Sequence, residues 1–267
     1  MDPRFGTATH VPSTTRPAAP APTWPRAPRS LGAGRGVAWW SEGWRVFTAA
    51  PLMWIGMIVT LVIILFVLNL VPLVGQIAGA LLWPVWYGGL MLGCHALATG
   101  RPLTFSHLFA GFTEGRALPL IVLGLIYIVV SFILFAIVMF IALGSLGVAG
   151  LVAMFTGDPT AMMNAMAAGM GTATIFAVLV GIAFGVLFLM GWWFAPSLVA
   201  LNRADAVSAV SASFGASMRN FGAVIVAFLI FLVLAVVASI PFGLGWLVLG
   251  PVAIGAYYAS WREVFGE

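Results

Sequence analysis

Six long stretches of this 267-residue chain are almost entirely apolar and contain no Asp, Glu, Lys or Arg. Each is close to or longer than the roughly 20 residues that cross a bilayer as a helix. Because every backbone amide in hydrocarbon must be bonded within its own segment, such runs predict helices rather than strands. The sequence therefore predicts an all-α, polytopic membrane protein with six transmembrane helices. The expected spans are about 52–70, 73–98, 118–142, 173–201, 221–240 and 242–260.

Composition supports the membrane assignment. Hydrophobic residues make up 63% of the chain, charged residues only 7%, and the mean hydropathy is +1.13. These values exceed what the core of a water-soluble protein can bury. Before the first span, residues 1–36 are rich in Pro, Ala and Arg and lack the apolar core of a signal peptide. We expect 1–36 to be a disordered cytoplasmic tail and 37–267 to be the six-span domain.

The arginines give the expected topology. All eleven basic residues are arginine, and each lies before the first span, in the second or fourth connection, or after the sixth. The opposite side of the membrane carries only Asp158. Since Arg is retained on the cytoplasmic side during insertion, both termini are predicted to be cytoplasmic. The expected location is the bacterial inner membrane.

The chain also contains a repeated unit. Three landmarks recur at an offset of 68 residues, namely Gly43, Pro51 and Gly56 in one copy and Gly111, Pro119 and Gly124 in the next. A weaker third copy lies at an offset of 170, where Val207, Val210 and Phe214 replace Val37, Trp40 and Trp44. Self-similarity of this kind indicates a duplicated structural unit. We expect three units, each an amphipathic cytoplasmic helix followed by a helical hairpin.

The amphipathic helices are expected to lie in the membrane interface. Aromatic side chains favour headgroup depth. Each of these helices is too short to span the membrane, and the face opposite its aromatic side chains is too polar. The predicted interface anchors are Trp40, Trp44, Phe109, Phe112 and Phe214. The returning helix of each unit contains one internal proline (Pro84, Pro196 or Pro251), which is expected to bend it.

An insertion at 144–171 is the only sizeable element predicted outside the membrane on the external side. Asp158 and Pro159 are expected to begin a helix there, as its N-cap and first residue. Met162, Met166 and Met170 then share one helical face, and thioether ligands favour Cu(I). The alternative is that the methionines bury an apolar stripe on the membrane.

Few other residues of the chain could take part in catalysis, ion transport or metal binding. Ion-coupled transport needs ionisable groups at membrane depth, and the predicted spans contain no Asp, Glu, Lys or Arg. No catalytic set or cofactor motif is present, so we do not expect an enzyme. Cys94, His95 and His107 could be drawn as a metal site, but without a carboxylate they are better explained as polar residues at headgroup level.

Partners follow from the same distribution of charge. The arginines are dispersed beside the membrane rather than gathered on a nucleic-acid-binding face. Anionic phospholipid headgroups in the lipid bilayer are therefore the expected partners, and no nucleic acid is expected. A homo-oligomer or a complex with another membrane protein is left open.

The chain resembles a family of uncharacterised six-helix inner-membrane proteins of Gram-negative bacteria. The resemblance covers roughly residue 36 to the end and implies a fold and a location, but no activity. It is carried by Pro84, the segment 108–112, the run 195–198, Asp205, the run 211–214 and Asn220-Phe221.

Two functional hypotheses follow. The first is a non-catalytic scaffold or organiser of the lipid surface that acts through its aromatic interfacial helices. The second is a passive carrier or channel for an apolar or zwitterionic solute, which would move between the proline-containing helices.

Overall fold

The computed structural model describes residues 27–113, 115–169 and 172–266. This part of the chain consists of helices joined by loops and contains no strands. Its ten α-helices and one 3-10 helix are α1 Arg35–Ala49, α2 Pro51–Asn69, α3 Val74–Ala98, the 3-10 helix Phe105–Phe112, α4 Ala117–Thr156, α5 Pro159–Gly169, α6 Thr172–Trp192, α7 Ala195–Asn202, α8 Ala206–Arg219, α9 Phe221–Ser239 and α10 Trp246–Phe265.

Five stretches of helix in the described residues are long and apolar enough to cross a membrane. They are Pro51–Asn69, Val74–Ala98, Ala117–Ile141, Ile175–Asn202 and Phe221–Ser239. The sixth predicted span corresponds to α10, which does not meet the same standard. It begins at Trp246 rather than at residue 242, and its last turn contains Arg262 and Glu263. These polar residues lower its hydropathy.

The expected insertion at 144–171 is mostly helical. α4 continues for 40 residues, well beyond the predicted end of its span at 142. At Gly147 the backbone leaves helical geometry, with φ 62° and ψ −175°, a conformation that glycine adopts easily because it has no Cβ. The predicted start of α5 is confirmed, because Asp158 Oδ1 accepts hydrogen bonds from the amides of Thr160 at 2.9 Å and Ala161 at 3.1 Å.

The predicted span 173–201 is divided into α6 and α7 by a side chain as well as by proline. Ser213 of α8 places its hydroxyl between the Phe194 amide and the Met190 carbonyl, at 2.9 Å from each. In an unbroken helix these two backbone groups would bond each other. Insertion of a side chain into the helical ladder is a recognised cause of a kink. Pro196, which has no amide hydrogen, then lies in the first turn of α7.

Pro84 and Pro251 behave differently. Both lie inside helices that continue past them, in α3 and α10. Of the helices whose buried residues are described, these two have the most, including Met91 and Trp261, which are fully buried. Large side chains from the other helices, Trp39 and Trp54 among them, complete the same core.

The end of the predicted tail is attached to the bundle. The Arg29 amide donates to the Val264 carbonyl at 2.8 Å. Asn220 accepts from the Leu31 amide at 2.8 Å and donates to the Arg29 carbonyl at 2.9 Å. The boundary drawn at 36 is therefore several residues late, while the first 26 residues of the tail lie outside the described part of the chain.

Candidate membrane-surface site

One end of the bundle carries the arginines of the described residues, and we call it the arginine face. Arg35 and Glu263 connect the start of α1 to the end of α10. Arg116, just before α4, donates from Nε to the carbonyl of Ala200 in α7 at 2.9 Å. The arginine face consists of Arg29, Arg35, Arg45, Arg101, Arg116, Arg203, Arg219 and Arg262.

The first amphipathic helix, α1, packs through a face that its aromatic stripe did not indicate. Its buried residues include Gly43 and Trp39, which is 1% exposed. A Cβ added to Gly43 would collide with the Val252 carbonyl of α10. The Trp39 Nε1 donates to Glu263 Oε2 at 2.8 Å. Backbone therefore meets backbone where α1 crosses α10.

The same contact recurs in the other two units. A Cβ on Gly111 of the 3-10 helix would collide with the Val85 carbonyl of α3. Ser213 of α8 lies against the Met190 carbonyl of α6. Gly43, Gly111 and Ser213 occupy one position of the repeat, at the offsets of 68 and 170. Each surface element thus packs on the last helix of the preceding unit, and the first unit packs on the third, which closes a ring.

The predicted interface anchors largely face outward. Trp44 is 52% exposed, and Phe109, Phe112 and Phe214 are between 38% and 41% exposed. Trp40 is half-buried, because its Nε1 donates to the Ala227 carbonyl at 3.1 Å and its ring stacks on Phe231 of α9. Four of the five side chains are therefore placed where lipid could contact them, and their role as anchors stays a prediction.

Trp39 is the surface-element residue that the sequence reasoning missed. It immediately precedes the predicted anchor Trp40 in the sequence. Only one of two neighbouring tryptophans on a helix can lie on a given face. The available signal was the spacing of Gly36 and Gly43, because glycines one or two turns apart mark a face on which backbones approach closely. In the structure both glycines are buried.

The third surface helix is capped at both ends. Asp205 accepts from the Ser208 amide at 2.9 Å, which confirms it as the N-cap of α8. Hydrogen bonds from the Ser208 hydroxyl and amide hold the pKa of the Asp205 carboxyl below its usual value. Asn220 ends α8 and holds the 29–31 segment. Both residues therefore have structural roles.

Carboxylates pair with the arginines where α1 meets α10. Glu263 Oε1 lies 2.6 Å from Arg35 Nε. Glu42 lies 2.8 Å from Arg45 and 3.9 Å from Arg262. A pocket of about 340 Å³ at this position is lined by these last three side chains. Its positive charge is therefore partly neutralised.

A second polar pocket, of about 410 Å³, lies beside α3 and the 3-10 helix. Its lining differs from that of the first pocket because it contains four cationic or titratable nitrogen groups and, among the described residues, no carboxylate. It is lined by Leu92, His95, Arg101, His107, Ala110, Thr113, Arg116 and Leu201. We call it the basic pocket.

Two apolar grooves face the membrane region. One, of about 580 Å³, lies under α8 between α4 and α6, and Phe214 is among its lining residues. The other, of about 370 Å³, is rich in aromatic rings and is formed by α2, α3, α6, α9 and α10 together with Trp193, which follows α6. We call the second one the aromatic groove. Its lining includes Trp83, Trp246, Gly250 and Tyr257.

Two groups of residues were considered as metal ligands, one at Cys94, His95 and His107 and the other the methionines of the external helix. In the described residues no group of three or more His, Cys, Asp or Glu side chains is positioned to hold a metal ion. Cys94 is fully buried, while His95 lies half-buried with Nδ1 3.2 Å from the Tyr258 hydroxyl. Met162 and Met166 lie on α5, and Met170 lies outside the described residues. The Cu(I) hypothesis stays a prediction.

Apolar helices of this length, arranged around a core with arginines gathered at one end, define an integral membrane protein of helical type. A probable inner membrane protein of Burkholderia thailandensis is 27% identical to the chain, over an alignment of 264 residues that covers 88% of this chain and 93% of the relative. The likeness agrees with the predicted location in the bacterial inner membrane. No family model and no solved structure matches the chain.

Proposed function

We propose that the chain crosses the bilayer six times as three hairpins, with both ends in the cytoplasm. Within each unit the two long helices come into contact. A Cβ on Gly75 would collide with the Leu68 carbonyl, a Cβ on Gly245 would lie against Ala238, and a Cβ on Gly181 would be 3.8 Å from Val138. With 20 residues, α10 is about 30 Å long, which matches the hydrocarbon thickness. Its Arg262 and Glu263 would then reach the cytoplasmic surface.

Cysteine labelling tests this topology. Cys94 is the sole cysteine, so single cysteines can be placed on a Cys94→Ala background. Ser30→Cys and Gly266→Cys should react with an impermeant reagent only in inside-out vesicles, and Thr160→Cys only in intact spheroplasts. Reaction of the residue 30 and 266 cysteines from opposite sides would disprove the even number of spans.

We further propose that the protein is a non-catalytic organiser of the lipid surface. The observation that carries this proposal is the ring of three equivalent surface elements. Each is fixed to the bundle by one small residue and exposes an aromatic side chain, for which Trp44, Phe109 and Phe214 are the examples. Aromatic rings at headgroup depth hold lipid, and the neighbouring arginines attract anionic headgroups. Another membrane protein or a second copy would bind to the same surface only as an additional partner.

The test removes one anchor from each surface element. The triple variant Trp44→Ser, Phe109→Ser, Phe214→Ser should fold, because all three side chains are at least 38% exposed. In lipid discs containing phosphatidylglycerol and a headgroup spin label, we expect it to immobilise far less lipid than the wild type. The matched control changes Phe66, Phe155 and Phe242, exposed aromatic residues outside the three surface elements, to Ser. Equal losses in the two triple variants, or no loss in the first, would contradict the proposal.

A passive carrier is the second candidate, because the aromatic groove offers about 370 Å³ between helices of different units. A Cβ on Gly250 would meet only Ile58, at 3.7 Å, so Gly250→Phe should fill the groove without breaking the fold. Gly56→Phe is the control, since nothing lies within 4 Å of a Cβ there. In proteoliposomes loaded with a zwitterionic solute such as betaine, a carrier would lose flux only in the Gly250 variant. Absence of protein-dependent flux in the wild type would eliminate the carrier.

A further inference from the structure

The aromatic groove has the size of a small-molecule site and is open to lipid along one edge. Its volume of about 370 Å³ falls within the range of roughly 300–1,000 Å³ that is usual for such sites. Trp83 of α3 and Trp246 of α10 both line it and are 41% and 39% exposed, so they form its rim. A compound dissolved in the bilayer would therefore reach the groove from the side.

Two tyrosine hydroxyls of the lining have no hydrogen-bond partner among the described residues. They belong to Tyr87 of α3 and Tyr257 of α10, which are half-buried and whose rings meet edge to face with centroids 6.1 Å apart. The indole nitrogens of Trp193 and Trp246, in the same lining, instead donate to serine hydroxyls at 3.3 Å and 3.2 Å. Phenols inside a protein usually find a partner, because a polar group left unpaired in apolar surroundings is unfavourable. The two hydroxyls therefore indicate an external ligand.

The lining also defines the chemistry of that ligand. Each phenol carries one hydrogen to donate, and a carbonyl oxygen is a suitable acceptor for it. Seven of the fifteen lining residues are aromatic, and such a surface packs well against a flat ring. The described lining contains no charged side chain, so nothing there would offset the loss of water around an ion or a zwitterion. These properties together favour a neutral compound with a flat ring and carbonyl oxygens.

One wall of the aromatic groove is aliphatic and suits a hydrocarbon tail. It is the face of α2 from Ile58 to Leu65, which covers about two helical turns. A phospholipid chain would also pack on this wall, but it would leave the phenols without an acceptor. Tyr87 and Tyr257 lie near the middle of α3 and α10, whereas the ester carbonyls of a phospholipid lie at the membrane surface. A compound whose carbonyl oxygens reach the middle of the bilayer fits better.

From this arrangement we infer that the aromatic groove binds a membrane-soluble quinone. A quinone is a neutral flat ring with carbonyl oxygens on opposite edges, and its hydrocarbon tail keeps it in the bilayer. Tyr87 and Tyr257 donate hydrogen bonds to the carbonyl oxygens, while the tail lies along α2. The site coincides with the pathway of the passive carrier proposed above, but binding of the quinone does not depend on flux.

The experiment uses the full-length protein in phosphatidylcholine discs, with decylubiquinone as the probe. Quinones quench tryptophan fluorescence, so binding is measured as saturable quenching above the linear quenching by quinone dissolved in the lipid. The test variant combines Tyr87→Phe with Tyr257→Phe, which keeps both rings and removes only hydroxyls that have no partner in the described residues, so it should fold. Tyr127→Phe is the matched control, because Tyr127 lies on α4 and outside the lining of the groove. Decylbenzene, with a ring and tail but no carbonyl group, is the competitor.

We expect the double variant to bind decylubiquinone about tenfold more weakly, the effect of losing two neutral hydrogen bonds, and Tyr127→Phe to bind like the wild type. Gly250→Phe, which fills the groove, should abolish the saturable quenching, and decylbenzene should compete poorly with the quinone in the wild type.

Three results would overturn the inference: no saturable quenching in the wild type, equal affinity of the wild type and the double variant, or decylbenzene competing as well as the quinone itself. The last of these would identify a groove for hydrocarbon alone. Failure of the carrier is detected separately, because saturable binding without betaine flux eliminates only the carrier, and flux without quinone binding eliminates only the quinone site.

Discussion

Gly43 of α1 and Val252 of α10 meet through backbone atoms, with no space for a side chain between them. Gly255 of α10 faces the same crossing, since a Cβ there would lie 2.8 Å from the Gly43 Cα. Close approach of this kind gives helices in a membrane the packing contacts that the lipid environment does not supply through a hydrophobic effect. The surface helix is thereby part of the bundle rather than loosely attached to it.

Gly43→Ala should therefore destabilise the protein. The added methyl group meets the Val252 carbonyl, which cannot move without displacing α10, and overpacking of this kind costs about 1–3 kcal/mol. The measurement is thermal unfolding in a mild detergent. Gly56→Ala is the matched control, because nothing lies within 4 Å of its Cβ position. If the two variants unfold at the same temperature, the crossing is not a tight contact.

The helical fold was predictable because apolar run length and the absence of charge depend only on local sequence. The start of α5 was predictable for a similar reason, since the Asp158 cap acts on the next three residues. The ring of surface elements was not. It depends on pairs such as Gly43 with Val252 and Gly111 with Val85, which are distant in the sequence, and the repeat indicated equivalence but not what the equivalent residues contact.

The basic pocket could not be predicted from the sequence either, although its two histidines were noted. His95 and His107 are separated in the sequence by Arg101 and a loop, and no residue near Arg116 in the sequence indicated that it lines the same pocket. The division between α6 and α7 shows the same limit. Pro196 predicted a bend, but the backbone is opened by Ser213, which comes from another unit.

Removal of the hydroxyl group is expected to destabilise the protein at one of two fully buried serines near this break, Ser213, and not at the other, Ser197. Ser213→Ala leaves the buried Phe194 amide without its acceptor, and an unpaired buried group costs about 1–3 kcal/mol. The Met190 carbonyl keeps the hydrogen bond that it accepts from the Ser217 hydroxyl at 3.0 Å. Ser197 Oγ has no hydrogen-bond partner in the described residues, so Ser197→Ala should be neutral or slightly stabilising. Unfolding by a denaturing detergent measures both. A similar loss in the two variants would show that volume, not the inserted hydroxyl, matters at residue 213.

Asn220 should control the attachment of the segment before α1. Its side chain holds the Leu31 amide and the Arg29 carbonyl, and a further bond to the Ala216 carbonyl orients it. Asn220→Ala is expected to raise the hydrogen-exchange rate of the Leu31 amide, while amides in the middle of α9 exchange as before. Ser30→Ala is the control, because the one contact of the Ser30 hydroxyl among the described residues is a long one of 3.5 Å, with the Arg219 carbonyl. Unchanged exchange at Leu31 in the Asn220 variant would mean that other contacts hold the segment.

Asp205 should make the stability of α8 depend on pH. The Ser208 hydroxyl and amide donate to its carboxylate at 2.5 Å and 2.9 Å, and these bonds lower its pKa. Because the folded-state pKa lies below the unfolded value of about 3.9, the stabilisation is complete above that pH and is lost as the pH falls through the folded pKa. Asp205→Ala should therefore unfold at a lower temperature than the wild type at pH 7, with a difference that narrows below about pH 4. Asp205→Asn keeps a capping oxygen, so it should retain much of the stability at pH 7 without the carboxylate's pH dependence. A constant difference between the wild type and Asp205→Ala from pH 7 to pH 3 would show that the ionised carboxylate does not stabilise the cap.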